Sequence, residues 1–116
     1  MIKATLKMAN MIDATLEGAT LIDATLTRAN LTGVTLTQAN LVTATLTRAD
    51  LTGATLTKAY LALATLTEAD LTGATLTGAD LSGTEGLTLE QVRSVSTDQT
   101  TELPVTVHQS GEAAAK

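Results

Sequence analysis

ATLTR-ANLTG-VTLTQ-ANLVT-ATLTR-ADLTG-ATLTK, residues 24–58, places a small residue at every fifth position and a leucine two places after it. Followed outward in both directions, the register runs unbroken from Ala4 to Gly83. Written x(−2)-x(−1)-Leu(0)-x(+1)-x(+2), these eighty residues are sixteen consecutive units, with Leu at 0 except for Met11 and Ala at −2 except for Val34. A period of five is not helical, because it advances about 140° beyond one turn and scatters the leucines around the helix. A simple strand fails as well, since an odd period sends successive leucines to opposite faces. A coil that turns a corner every five residues satisfies the pattern. Each unit then forms one side, with positions 0 and −2 inward and the other three outward.

This register resembles that of the pentapeptide-repeat family, whose pattern is A-(D/N)-L-x-x. The resemblance implies an all-β solenoid, a right-handed quadrilateral parallel β-helix with four units per coil. It covers residues 4–83, and the departure from it is informative: the −1 position, usually Asp or Asn in the family, is Thr in nine units. Four coils at about 4.8 Å per rung give a stack of roughly 19 Å. On side one the −1/+1 pairs are Thr5/Lys7, Thr25/Thr27, Thr45/Thr47 and Thr65/Thr67. Side two carries Asn10/Ile12, Asn30/Thr32, Asp50/Thr52 and Asp70/Thr72. Side three carries Thr15/Glu17, Thr35/Thr37, Thr55/Thr57 and Thr75/Thr77, and side four Thr20/Ile22, Asn40/Val42, Tyr60/Ala62 and Asp80/Ser82. The +2 glycines Gly33, Gly53 and Gly73 stack at one corner, where a turn with positive φ suits a residue lacking Cβ.

Composition agrees with a narrow layered core. Phe, Trp and Cys are absent and Tyr60 is the single aromatic residue, so neither a large mixed core nor a disulfide framework or thiolate site is available. No run of about 18 apolar residues and no basic-then-apolar leader occurs, which predicts a soluble chain without signal peptide or membrane span, cytoplasmic by default. The net charge is −5, and no basic patch predicts a nucleic-acid partner. The expected organisation is a β-helix over residues 1–83, a cap over 84–107 and a disordered tail over 108–116. Within the cap, Thr88 and Gln91 form a capping box, Leu87 and Val92 a staple, and a short helix is expected over 89–94. Its Leu89, Val92 and Val95 are expected to cover the last coil, and Val105-Thr106-Val107 to add an extended piece.

No catalytic constellation emerges. His108, the only histidine, falls in the tail, and Asp50 and Asp70, close enough on adjacent rungs to raise one pKa or hold a cation, read better as the family's ordinary ladder. No cofactor or metal site is expected. Some family members resemble duplex DNA and bind DNA gyrase, but Arg28 and Arg48 in one column break the acidic rows such mimicry needs. The Thr-Leu-Thr rungs are the distinctive feature. Thr25, Thr27, Thr45, Thr47, Thr65 and Thr67 on side one, with Thr35, Thr37, Thr55, Thr57, Thr75 and Thr77 on side three, form two regular arrays. Such arrays are similar to the faces of ice-binding β-helices, where a methyl and a hydroxyl at fixed χ1 hold ordered water. Ice or ordered water is thus one expected partner. The competing reading is an interaction module or scaffold with an unidentified protein partner. The first coil lacks a cover, and Met1, Met8, Met11 and Leu16 predict a homodimer through the N-terminal coils.

Overall fold

The computed structural model describes residues 3–93, 95, 97 and 101–103. Its backbone is a four-sided coil in which each −1 residue of the first three coils bridges, in parallel, the residue twenty places on: Thr5 to Thr25 to Thr45 to Thr65, and likewise from Asn10, Thr15 and Thr20. Each rung repeats one bonding scheme. Leu26 N donates to Thr45 O (2.7 Å), Thr45 N to Ala24 O (2.8 Å) and Arg28 N to Thr47 O (2.9 Å). Extended structure is confined to one bridging residue per side, because the next residues already turn the corner.

The corner explains the five-residue period. Ala29 N donates to Leu26 O at 3.0 Å, closing a four-residue turn with Thr27 and Arg28 at its centre. Positive φ at the second central residue alone is the sign pattern of a type II turn, whose first central residue stays extended. Positive φ is found at the glycine corners, as expected, and at every other corner as well. Lys3, Met8, Asp13, Asp23, Arg28, Gln38, Thr43, Arg48, Lys58, Leu63 and Glu68 all lie between φ 58° and 64°. Each such residue costs roughly 1–2 kcal/mol relative to glycine. The turn's hydrogen bond and the inward leucine it delivers must offset that cost. From Leu21 to Leu81 each 0-position leucine is at most 3% exposed and most −2 residues are fully buried, and burying one leucine stabilises by about 1.5–3 kcal/mol.

The C-terminal end departs from the expected boundaries. The ladder continues past Gly83, since Glu85 bridges Thr65 and exchanges bonds with Leu66 N (2.7 Å) and Ala64 O (2.9 Å). The register breaks at Gly86, where a Cβ would lie 2.6 Å from the Thr67 Cα and 2.7 Å from its N at φ +81°. Leu87, expected only as a staple, is itself in the core at 8% exposure. Helix α1 spans Leu89–Arg93, while Ser94 and the Leu89 side chain lie outside the described residues. The capping box forms as expected: Thr88 N donates to Gln91 Oε1 (2.6 Å) and Gln91 N to Thr88 Oγ1 (3.2 Å). Val92 and Val95 pack on the core, joined by Leu103.

A fifth rung on side four comes from Thr101-Glu102-Leu103. Glu102 bridges Asp80, donates to Ala79 O (2.8 Å) and accepts from Leu81 N (2.6 Å). The piece expected at 105–107 lies outside the described residues. At the other end Ala4, Leu6, Met11, Ala14, Leu16 and Ala19 are only partly buried, as an uncovered coil requires. Met8 differs from its expected place on the apolar rim: it occupies an outward corner and is 72% exposed. Met1 lies outside the described residues.

Candidate functional site

With the backbone uniform, the four sides differ only in what they present outward. On side two the polar groups bond to one another. Asp50 Oδ1 accepts from Thr52 N (3.0 Å) and Thr52 Oγ1 (2.6 Å), and Asp70 makes the same pair of bonds with Thr72 (3.0 and 2.6 Å). Asn30 with Thr32 follows suit. These are Asx turns, in which a short carboxylate or amide satisfies the backbone two residues on. They also establish that −1 and +1 side chains leave the same side. The Thr72 hydroxyl and N–H hold the Asp70 carboxyl below its ordinary range. Asp50 and Asp70 therefore form a ladder in which each carboxyl is hydrogen-bonded within its own rung.

Sides one and three are open in this respect. Among the described residues, the hydroxyls of Thr25, Thr27, Thr45, Thr47, Thr65 and Thr67 have no hydrogen-bond partner, nor do those of Thr35, Thr37, Thr55, Thr57, Thr75 and Thr77. Successive −1 threonines stand in bridged register along both sides. The twelve residues singled out by sequence thus fall on two opposite faces as parallel columns.

Side four is the apolar face. Its +1 column runs Ile22, Val42, Ala62 and Ser82, with threonine absent, and Tyr60 and Leu63 beside it are 50% and 60% exposed. Leu63 lies over the next rung, for a Cβ on Gly83 would sit 2.8 Å from its Cδ2. The column ends in acid, with Asp80 under Glu102 on adjacent rungs. Burial opposes ionisation of Asp80, but bonds from Ser82 outweigh it and lower the pKa.

Two further features lie near the C-terminal end. Gln91 Nε2 donates to Leu66 O (3.0 Å) and Ala69 O (2.9 Å), so a side-chain amide takes the place of the backbone N–H that another coil would offer. Beside α1 an open groove of about 510 Å³ is lined by Glu68, Asp70, Leu71, Thr72, Thr88 and Gln91. Glu68 is already paired with Arg48 one rung below (2.6 Å). Among the described residues no group of three His, Cys, Asp or Glu could hold a metal ion, and no helix is long and apolar enough to cross a membrane. His108 lies outside those residues.

These features define a repeat solenoid whose chemistry is carried by its faces. The family model "Pentapeptide repeats (8 copies)" matches residues 9–48 and again residues 44–83, and the chain belongs to that family. Its structure is similar to that of the pentapeptide repeat protein Rfr23 from the cyanobacterium Cyanothece 51142, with 33% identity and a TM-score of 0.76 over 82% of this chain and 64% of that one. It is also similar to alr5209 from Nostoc Pcc 7120, a pentapeptide repeat protein, with 34% identity and a TM-score of 0.70 over 83% of this chain and 82% of that one. The chain thus spans less than two-thirds of the Rfr23 structure. QnrB1, a plasmid-mediated fluoroquinolone resistance protein, shares the fold at 18% identity and a TM-score of 0.51, covering 99% of this chain and 66% of its own. Comparison with curated protein sequences gave no match.

Proposed function

We propose that this chain is a non-catalytic interaction module whose recognition face is side four. The observation that supports it is the segregation of the +1 position. Outside the first coil threonine fills it on every other side, whereas side four has Val42, Ala62 and Ser82 there, in line with Ile22 of the first coil and beside exposed Tyr60 and Leu63. An apolar column flanked by an exposed aromatic ring is the composition of an interface core. The Asp80–Glu102 end favours a partner segment with a basic residue next to its apolar anchors. Family membership and the likeness to repeat proteins of the same fold support a scaffold over an enzyme. In this reading α1 and the rung at Glu102 cap the module and leave its sides free. The test is selection from a random displayed-peptide library, then titration of the winning peptide. Affinity should fall about tenfold or more with Leu63→Asp and hold with Thr47→Lys. Equal binding to both variants, or no winner, would sink the assignment.

A second reading rests on the partnerless hydroxyls of sides one and three. Three full Thr-x-Thr rungs per side, about 4.8 Å apart, offer a small lattice for ordered water or ice. The area is on the order of 100 Å² per side, which suits weak ice shaping. Crystals grown with the protein should become faceted, and Thr45→Lys with Thr47→Lys should round them again. Round crystals with the parent chain at millimolar concentration would remove this reading.

A further inference from the structure

The ladder has a fifth rung on sides one and four, but on side two the chain has left it for α1. Leu66 N donates to Glu85 O (2.7 Å) and Leu81 N to Glu102 O (2.6 Å), continuing the scheme of the coils below. The corresponding donors on side two, the Leu71 and Gly73 N–H groups, have no partner among the described residues. One coil earlier both positions are served, since Leu51 N donates to Asp70 O (2.7 Å) and Gly53 N to Thr72 O (2.8 Å). The acceptor of this edge, Ala69 O, is already met by Gln91 Nε2 (2.9 Å). The edge is thus half satisfied, with its acceptor bonded and its two donors open. It borders the groove beside α1, and the core is less closed there. Ala69 and Leu71 are 5% and 3% exposed, against at most 1% for every other −2 and 0 residue from Leu21 to Leu81. An unbonded N–H on a residue as buried as Leu71 carries a free-energy penalty that an incoming acceptor relieves.

We propose that this edge docks an extended, basic segment of a partner protein, which supplies the missing rung on side two. Two observations fix the chemistry of that segment. The open groups are donors, so the ligand must present oxygen acceptors. The groove is lined by Glu68, Asp70 and Glu90, all exposed, so a carboxylate or phosphate is repelled. Backbone carbonyls of a cationic chain meet both demands. In the geometry of the rungs below, a residue j over Asp70 accepts from Leu71 N, and residue j+2 over Thr72 accepts from Gly73 N, the mode in which a peptide extends a sheet edge. Side chains j and j+2 then point outward, and j+1 points inward toward Ala69 and Leu71. Asp70 Oδ1 is held by Thr72 and Glu68 Oε1 by Arg48, so each carboxylate keeps its second oxygen for the ligand. Arg48 offsets one of the three negative charges and leaves the groove acidic. The sequence that fits is basic-apolar-basic.

Glu85 and Glu102 close the same edge on sides one and four, which confines the segment to side two and limits its length to about one unit of the repeat. Side two lies opposite side four. A partner held here leaves the apolar face free, and the two sites stand or fall separately.

Titration of a labelled peptide, acetyl-Gly-Lys-Leu-Lys-Gly-amide, with the full chain measures docking by fluorescence anisotropy, and amide exchange read by NMR places it. Binding should saturate and weaken as salt is raised, because the acidic groups are exposed. The peptide with Glu in place of both Lys should not bind. At saturation the Leu71 and Gly73 N–H groups should exchange about tenfold more slowly, with Leu46 N–H unchanged. Asp70→Asn together with Glu90→Lys should weaken the peptide about tenfold or more. Asparagine already makes the same turn at Asn30, and circular dichroism checks that the double variant keeps the fold. The charge-reversed peptide makes the same test on the unaltered chain. No binding at millimolar peptide, equal binding of the two peptides, or binding that leaves exchange at Leu71 and Gly73 unchanged would each overturn the proposal. So would exchange at Leu71 N–H in the protein alone as slow as at Leu51 N–H, since the rung would then already be filled.

Discussion

The first and fourth coils are built from the same five-residue unit, yet their leucines have different surroundings. Leu66 and Leu71 in the fourth coil are 1% and 3% exposed, whereas Leu6 and Leu16 in the first are only partly buried. The unit itself does not account for this, since both coils have the same turns and the same bonds to the second and third coils. What differs is what lies on the outer edge. On the fourth coil Glu85, Gln91, Thr101 and Glu102 each bond the ladder from above. A repeat makes an interior only where it has a neighbour on both sides, and stability in such a stack is a sum of neighbour terms.

The largest expected effect tests that difference directly. Leu46→Ala, in the third coil, removes a side chain 1% exposed and should cost about 2–5 kcal/mol. Leu6→Ala removes one that is only partly buried, so its loss should be smaller. Denaturant unfolding of the two variants measures both. Equal losses would mean that the first coil is packed as tightly as the third in solution, as it would be in a dimer populated at the concentration used. Repeating the pair at two protein concentrations separates these cases, because only a dimer makes the Leu6 loss concentration-dependent.

A second test breaks the covered end. Gly86 holds φ +81° and approaches the Thr67 backbone to 2.6 Å at the position a Cβ would take, so Gly86→Ala adds both strain and a clash with main-chain atoms. The strain alone is roughly 1–2 kcal/mol, and the clash is relieved only by lifting the strand at Glu85. Amide hydrogen exchange should show Leu66 N–H losing protection in this variant while Leu46 N–H keeps it. By contrast Gly53→Ala meets nothing within 4 Å and sits where other corners hold Arg or Lys at the same φ. It should cost only the left-handed penalty. If both glycines proved equally tolerant, the close approach at Gly86 would not exist in solution.

These contrasts also mark what the sequence could reveal. The fold was legible because sixteen copies of one unit leave a single geometry that buries Leu and Ala together, and the capping box at Thr88 and Gln91 was legible because it is local. The left-handed corners at Arg28, Arg48 and Lys58 were not, since local preference argues against them and only the repeated hydrogen bonds impose them. Nor was the fifth rung on side four. Thr101-Glu102-Leu103 carries the small-x-Leu signature of a unit, but it stands 22 residues after Asp80, and only the path through α1 brings it into line. The columns of threonine were visible at once. That their hydroxyls are unpaired while those of Thr52 and Thr72 are held by carboxylates required side-chain geometry. The apolar column of side four was visible only in part, because Ile22, Val42 and Ala62 are unremarkable until stacked.

The smallest expected effect concerns the junction between the repeats and the cap. Thr84 occupies the −2 position, which is Ala in fifteen of the sixteen preceding units, and its hydroxyl is buried without a hydrogen-bond partner. A buried hydroxyl left unsatisfied costs about 1–3 kcal/mol relative to a bonded one. Thr84 N still donates to Leu81 O at 3.3 Å, a longer turn bond than the 2.9–3.1 Å of the other corners, as though the larger side chain holds the backbone back. Thr84→Ala removes the stranded oxygen and restores the repeat residue. It also gives up the apolar contact of one methyl, worth about 0.8 kcal/mol. The balance favours the variant, which should be more stable by about 0.5–1 kcal/mol. The midpoint in urea should rise with an unchanged slope, whereas Ala44→Thr, which installs the same hydroxyl in a middle coil, should lower it. A drop in stability for Thr84→Ala would show that the hydroxyl finds a partner in solution and that the covered end is wetter than its geometry implies.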